Sequence, residues 1–73
     1  GGLVKRLLAE GKTPEQVIEE IYLRSFSRKP TAEETKQLIA QVASVGEDKA
    51  QRELVLNDVF WAVLNSKEFM FNH

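Results

Sequence analysis

The residues that could support acid–base or metal chemistry are few in this chain and poorly placed for it. His73 is the only histidine and the last residue of the sequence. A metal site needs further ligands at suitable spacing, and a general base needs a positioned partner; neither accompanies His73. The chain has no cysteine, which excludes disulfides, thiolate metal sites, a cysteine nucleophile and covalent haem attachment within it. We therefore predict no catalytic residue, no metal ligand and no cofactor-binding residue.

Most of the carboxylates come as adjacent pairs. Neighbouring side chains point in different directions on a helix and do not converge on one site. They are expected to form solvated faces and to favour the positive ends of helices, not to act as an acid–base pair. The pairs are Glu19 with Glu20, Glu33 with Glu34, and Glu47 with Asp48.

Asp58 differs from these pairs because it lies between Leu54 and Trp61 on a sparsely polar helix side. A carboxylate buried there would need a partner. One hypothesis is a structural clamp in which Arg24 or Arg28 reaches that carboxylate, or the amide of Asn65, from the preceding part of the chain.

Arg24, Arg28 and Lys29 form a small basic cluster beside Tyr22 and Phe26. Such a group could hold an anion or a sugar. Two glutamates open the next predicted helix nearby and dilute the positive charge. The sequence therefore favours a turn held by charged side chains over a ligand site.

The aromatic residues near the end could suggest carbohydrate stacking. At helical spacing beside aliphatic residues, however, Trp61, Phe69 and Phe71 are more typical of a core. We expect Trp61 to be buried within the chain, with an interface to a missing neighbour as the alternative. The segment from Asn65 to Glu68 resembles a capping box, which predicts a new helical turn that folds Phe69 and Phe71 back onto the core.

Two helix starts carry nearly the same signature. Thr13 is followed by Pro14 and, three residues after the threonine, by Gln16; Thr31 is followed three residues later by Glu34. A threonine N-cap with Gln or Glu at the third helical position is a capping box. Helices are therefore predicted to begin at both threonines.

Apolar periodicity and breakers predict the other element boundaries. A short amphipathic helix precedes Gly11, Pro30 stops the second helix, and Gly46 caps the third. A last long helix over about 48–64 has apolar residues all round: it is either central to the bundle or one side of an interface. No strand signal competes. The predicted fold is an all-α bundle of about four helices with a short C-terminal helical turn.

The composition fits one small domain over residues 1–73, of which 42% are apolar and 29% charged. The net charge of −1 predicts no attraction to nucleic acid, which argues against a helix-turn-helix reading of the helix at Thr13. No apolar run approaches the roughly 18 residues of a membrane span, so no membrane insertion is expected. Gly1 and Gly2 suggest that natural sequence continues upstream.

Two segments resemble a known family. Residues 21–34 read Ile-Tyr-Leu-Arg-Ser-Phe-Ser-Arg-Lys-Pro-Thr-Ala-Glu-Glu, and residues 60–73 read Phe-Trp-Ala-Val-Leu-Asn-Ser-Lys-Glu-Phe-Met-Phe-Asn-His. Together they resemble the C-terminal end of the planctomycete secreted domain, domain of unknown function fifteen fifty-three. The chain departs from the family at Phe26 and Val63, where leucine is usual, and at Lys67, where proline is frequent.

The resemblance implies location and context, not a reaction. Such domains end large extracytoplasmic proteins, periplasmic or secreted, and pack beside other domains of the same parent protein. On this basis we expect a non-catalytic structural or protein-interaction module at the C-terminus of such a protein. The alternative is a segment of a carbohydrate-active or haem-linked redox enzyme to which it contributes no catalytic group.

Overall fold

The described backbone of the protein contains four helices. The computed structural model describes the backbone of residues 2–71 and the side chains of residues 2–66. The helices are α1 (Gly2–Ala9), α2 (Pro14–Phe26), α3 (Ala32–Ala43) and α4 (Lys49–Phe71), and no strand occurs between residues 2 and 71. The predicted all-α bundle is confirmed.

The capping boxes at the starts of α2 and α3 are both present. The Thr13 hydroxyl accepts from the Gln16 amide at 3.2 Å, and the Gln16 side chain accepts from the Thr13 amide at 2.9 Å. Thr31 and Glu34 repeat the exchange at 3.1 and 2.8 Å. Each box satisfies two backbone donors that a helix start leaves free, so both predicted starts are confirmed.

The end of α1 and the turn after α3 both contain a glycine with left-handed backbone. Gly11 has φ of +87°, and its amide donates to the Leu8 carbonyl while the Lys12 amide donates to the Leu7 carbonyl. This pair of bonds is a Schellman motif, and it ends α1 as glycine placement predicts. The α3 helix ends at Ala43, and Gly46, at φ of +66°, turns the chain towards α4.

The helix α2 ends earlier than the position of Pro30 predicts. Pro30 forbids helix at the residue before it, but α2 already stops at Phe26. Ser27 follows in the left-handed region at φ of +58°, with its amide donating to the Leu23 carbonyl. Serine therefore takes a place that glycine usually holds.

The core lies mainly between α2 and α4. The α1 and α3 helices each pack against both of them and not against each other within the described residues. Among residues 2–66, ten apolar side chains are buried: Val4, Leu7, Val17, Ile18, Ile21, Tyr22, Val42, Leu56, Val59 and Val63. Because all three partner helices contact α4 on the side of its buried residues, α4 turns a second side away from the core.

The predicted break near the end of the chain is wrong. Asn65 and Ser66 lie inside α4, which runs on as one helix to Phe71. Neither residue removes a backbone donor as proline would, and both are tolerated within a helix when their side chains face solvent, as these two do. The predicted packing of the Phe69 and Phe71 side chains falls outside the side chains that the structure describes.

None of the helices in the described part of the chain combines the length and the apolar character needed to cross a bilayer.

Candidate functional site

Arg28 ties the turn after α2 to the start of α3. Its Nη1 and Nη2 atoms donate to the two carboxylate oxygens of Glu34 at 3.0 and 3.3 Å, and Nη1 also donates to the Lys29 carbonyl at 3.0 Å. Two parallel hydrogen bonds between a guanidinium and a carboxylate fix the orientation of both groups. Glu34 is the same residue that completes the capping box of α3.

The Arg28 guanidinium also lies over two aromatic rings. Its central carbon is 5.4 Å from the ring centre of Tyr22 and 5.5 Å from that of Phe26. The rings are 5.6 Å apart and tilted by 56°. A cation over an aromatic face is favourable at this distance. Arg28 therefore contacts both the carboxylate of Glu34 and the aromatic side chains at the edge of the core.

The electrostatics of this cluster favour one charge state at neutral pH. The hydrogen bonds from Arg28, and next those of Thr31, lower the pKa of Glu34 to about 2. Burial, and then the negative charge of Glu34, raises the pKa of Tyr22 above its ordinary value. Glu34 is thus ionised and Tyr22 neutral, and the cluster is a turn held by charged side chains, as the sequence favoured.

The predicted clamp to Asp58 or Asn65 is wrong. Arg24 donates through Nε to Glu20 at 3.1 Å, one helical turn earlier, and Arg28 is held by Glu34. Asp58 and Asn65 are both exposed. A solvated carboxylate needs no buried partner, which removes the reason for the clamp.

Trp61 is not buried, and the preferred prediction for it is therefore also wrong. Its side chain is 59% exposed, and Leu54 on the same helix is 57% exposed. The cause is tertiary: α1, α2 and α3 all pack against the opposite side of α4, where Leu56 and Val59 lie. The interface alternative is the one compatible with this geometry.

The exposed apolar residues of α4 follow a regular spacing. Steps of four and three residues place them along one face of a helix, as in a helix-pairing surface. We call this surface the outer seam, and it comprises the exposed Ala50, Leu54 and Trp61 together with the half-buried Leu64 and the half-buried polar Asn57. The sequence contains a signal for this surface that our prediction did not use. It is the alternating spacing of four and three residues between the members of the seam.

Asn57 stands at the centre of the outer seam. Its Oδ1 atom is buried, and no residue with a described side chain donates a hydrogen bond to it. A shielded carbonyl without a donor costs about 1–3 kcal/mol. Because the atom is shielded by the chain itself, this cost is borne within the fold.

Acidic residues flank the outer seam. Glu53 lies on one side of it and Asp58 on the other. Between residues 50 and 66 the only basic residue is Arg52, and its Nε atom donates to the Gly46 carbonyl at 2.7 Å. The apolar strip therefore has one carboxylate on each side.

Among the residues that the structure describes, no group of three or more His, Asp or Glu side chains is placed to hold a metal ion. In comparisons with known proteins, no family model, no curated protein and no solved structure matches this chain. The resemblance to the planctomycete secreted domain therefore stays a prediction.

Proposed function

We propose that this chain is a non-catalytic protein-interaction module that binds a helix of a neighbouring domain in its parent protein through the outer seam. The observation that carries the proposal is the exposure of Leu54 and Trp61 on a helix whose other face is fully used by the core. Tryptophan is among the side chains that contribute most to protein interfaces.

The shape of the seam favours a helical partner. Apolar residues at alternating steps of four and three fit the residues of a second helix laid alongside. Asn57 is half-buried and is the polar residue at the centre of the seam. A polar residue inside an otherwise apolar seam selects the register of the partner.

The charges favour a basic partner over a second copy of this chain. In a parallel pair of copies, Glu53 of one would face Asp58 of the other; in an antiparallel pair centred on Asn57, the two copies of Asp58 would face each other. Both arrangements place like charges together. A partner helix with Lys or Arg beside its apolar strip complements both borders.

The family resemblance supports the proposal that this module lies beside another domain of a larger protein. The planctomycete secreted domain occurs at the end of large extracytoplasmic proteins, so the neighbouring domain would belong to the same periplasmic or secreted chain. The seam supplies the surface that such packing requires.

The test uses two designed helical peptides with leucine at seam positions, one with lysine and one with glutamate on the flanks. Trp61 is the only tryptophan and reports binding directly. We expect the lysine peptide to shift its emission to the blue and to bind at least about tenfold more tightly than the glutamate peptide, a difference of about 1.4 kcal/mol.

The variants locate the binding surface. Leu54→Glu should abolish binding of the lysine peptide, whereas Leu23→Glu should not, because Leu23 is exposed at 38% on α2 and away from the seam. Equal loss in both variants would contradict the proposal. Concentration-dependent dimerisation in sedimentation that Leu54→Glu abolishes would replace the partner helix with a second copy.

A further inference from the structure

A second surface lies beside the start of α4, where α1 ends and α2 begins. It is an open groove of about 560 Å³ between these three segments. Lys5, Lys12, Lys49 and Arg52 line it, together with a single acidic residue, Glu53. We call it the basic groove.

The concentration of positive charge in the groove is unexpected for a chain with a net charge of −1. Four of the ten lysines and arginines of the sequence line this one surface. The cations that form ion pairs among residues 2–66 are Arg24, Arg28 and Lys29, all elsewhere. Within that range no carboxylate pairs with any cation of the groove.

The nearby acidic residues do little to neutralise the groove. The carboxylate of Asp48 accepts from the backbone amides of Ala50 and Gln51 at 3.0 and 3.2 Å, and so caps the start of α4. Glu10 and Glu47 do not line the groove. Only Glu53 opposes the four cations there.

Local structure holds part of this charge in place. Arg52 is half-buried, and its Nε atom is anchored on the Gly46 carbonyl at 2.7 Å, which restricts the guanidinium while its Nη atoms keep their donors. Lys49 is the first residue of α4 and directly follows Asp48, whose carboxylate caps that helix start. Leu8 and Pro14, both half-buried, add an apolar wall.

We propose that the basic groove binds a small anion with at least two phosphoryl groups. Cations from three segments surround the groove, so one phosphate would reach only some of them, whereas a diphosphate can contact cations from more than one segment. The volume is within the range of about 300–1,000 Å³ that is usual for small-molecule sites. The groove adjoins the outer seam at Glu53 but shares none of its five residues, and the proposal does not depend on the function proposed for the seam.

The test is an amide NMR titration of the 73-residue chain at low salt with three probes: orthophosphate, pyrophosphate and adenosine diphosphate. Pyrophosphate should shift the amides of Lys12, Lys49 and Arg52 and bind at least about tenfold more tightly than orthophosphate. Adenosine diphosphate distinguishes the sources: tighter binding than pyrophosphate indicates a nucleotide that also uses the apolar wall, and equal binding indicates the diphosphate alone.

Lysine-to-glutamine variants inside and outside the groove decide whether the groove itself is responsible. The double variant Lys12→Gln/Lys49→Gln should weaken pyrophosphate binding by about fivefold to tenfold. This is the combined effect expected from the loss of two exposed charge contacts. Lys36→Gln removes one exposed charge outside the groove and should leave the affinity unchanged. Equal weakening by Lys36→Gln, equal affinity for orthophosphate, or no shift at low salt would overturn the proposal.

Discussion

Glu34 shows at the level of one side chain how a helix start can be joined to tertiary structure. It completes the capping box of Thr31 and accepts two hydrogen bonds from Arg28. Gln16 occupies the equivalent position in α2 and makes only the capping contacts. The difference between the two positions therefore isolates the contribution of the ion pair.

Glu34→Gln should remove the ion pair and keep the cap. Because the folded-state pKa of Glu34 is lowered from 4.5 to about 2, its stabilisation is present above pH 4.5 and is lost as the pH falls towards 2. One third of the side chain is exposed, so we expect a loss of only about 1 kcal/mol. Urea denaturation at pH 6 and pH 2.5 measures it.

The variant should lose less stability than the wild-type protein across this pH interval, since it has no carboxylate to protonate at this position. Gln16→Glu serves as the control, because it adds a carboxylate to a capping box without an arginine partner. An identical acid-induced loss in Glu34→Gln and wild type would show that the Arg28 contact contributes nothing.

Thr13→Ala and Thr31→Ala test the caps themselves. Each removes the hydroxyl that accepts a backbone amide at the third helical position, and each should lower the free energy of unfolding by about 1 kcal/mol. The corresponding Thr→Ser variants keep a hydroxyl and should change stability much less. Denaturation midpoints that do not move in either alanine variant would contradict the capping geometry.

At the level of the helices, the residue that follows α2 has a backbone conformation that is unfavourable for its side chain. Ser27 has φ of +58°, in the region where a Cβ atom is unfavourable. By contrast, Ser44 caps α3 with right-handed backbone at φ of −63°. The two serines follow helices in similar positions and differ in conformation.

Ser27→Gly should therefore stabilise the protein, by about 0.5–1 kcal/mol, because glycine adopts positive φ without the steric penalty. Ser44→Gly should be neutral or destabilising, since it only increases the freedom of the unfolded chain and removes the hydroxyl that donates to the Gln41 carbonyl at 2.6 Å. Thermal denaturation of both variants distinguishes these effects. Destabilisation by both would contradict the strain at Ser27.

The helices also show which features could be predicted from sequence. The starts at Thr13 and Thr31 were predicted correctly because a capping box involves only residues within one turn. The end at Ser27 was missed because serine carries no signal for positive φ. Asn65 was misread because the same residues that cap helices are also tolerated inside them.

At the level of the whole molecule, the unpredictable part is which side of α4 the bundle covers. The apolar residues around α4 were evident, but their burial depends on how three other helices dock. The side chains of Leu56, Val59 and Val63 are buried in the core, whereas that of Trp61 is exposed. The outer seam is the consequence of a bundle too small to cover both sides, as expected for a domain of this size.

Two equal substitutions on α4 test this division between core and seam. Leu56 is completely buried and Leu54 is 57% exposed, two residues earlier on the same helix. Leu56→Ala should cost about 2–5 kcal/mol because it removes apolar contacts and leaves a cavity among α2 and α4 side chains, which approaches the whole stability of a small domain.

Leu54→Ala changes the same atoms with no cavity and should alter the free energy of unfolding by no more than about 0.5 kcal/mol. Both variants keep Trp61, which is exposed in the folded protein, so its emission is a poor probe of unfolding and circular dichroism of the helices is the appropriate signal. If Leu54→Ala were as destabilising as Leu56→Ala, the seam would be part of the core. A cooperative, wild-type-like transition for Leu54→Ala beside a largely unfolded Leu56→Ala would show that only one face of α4 contributes to the stability of the fold.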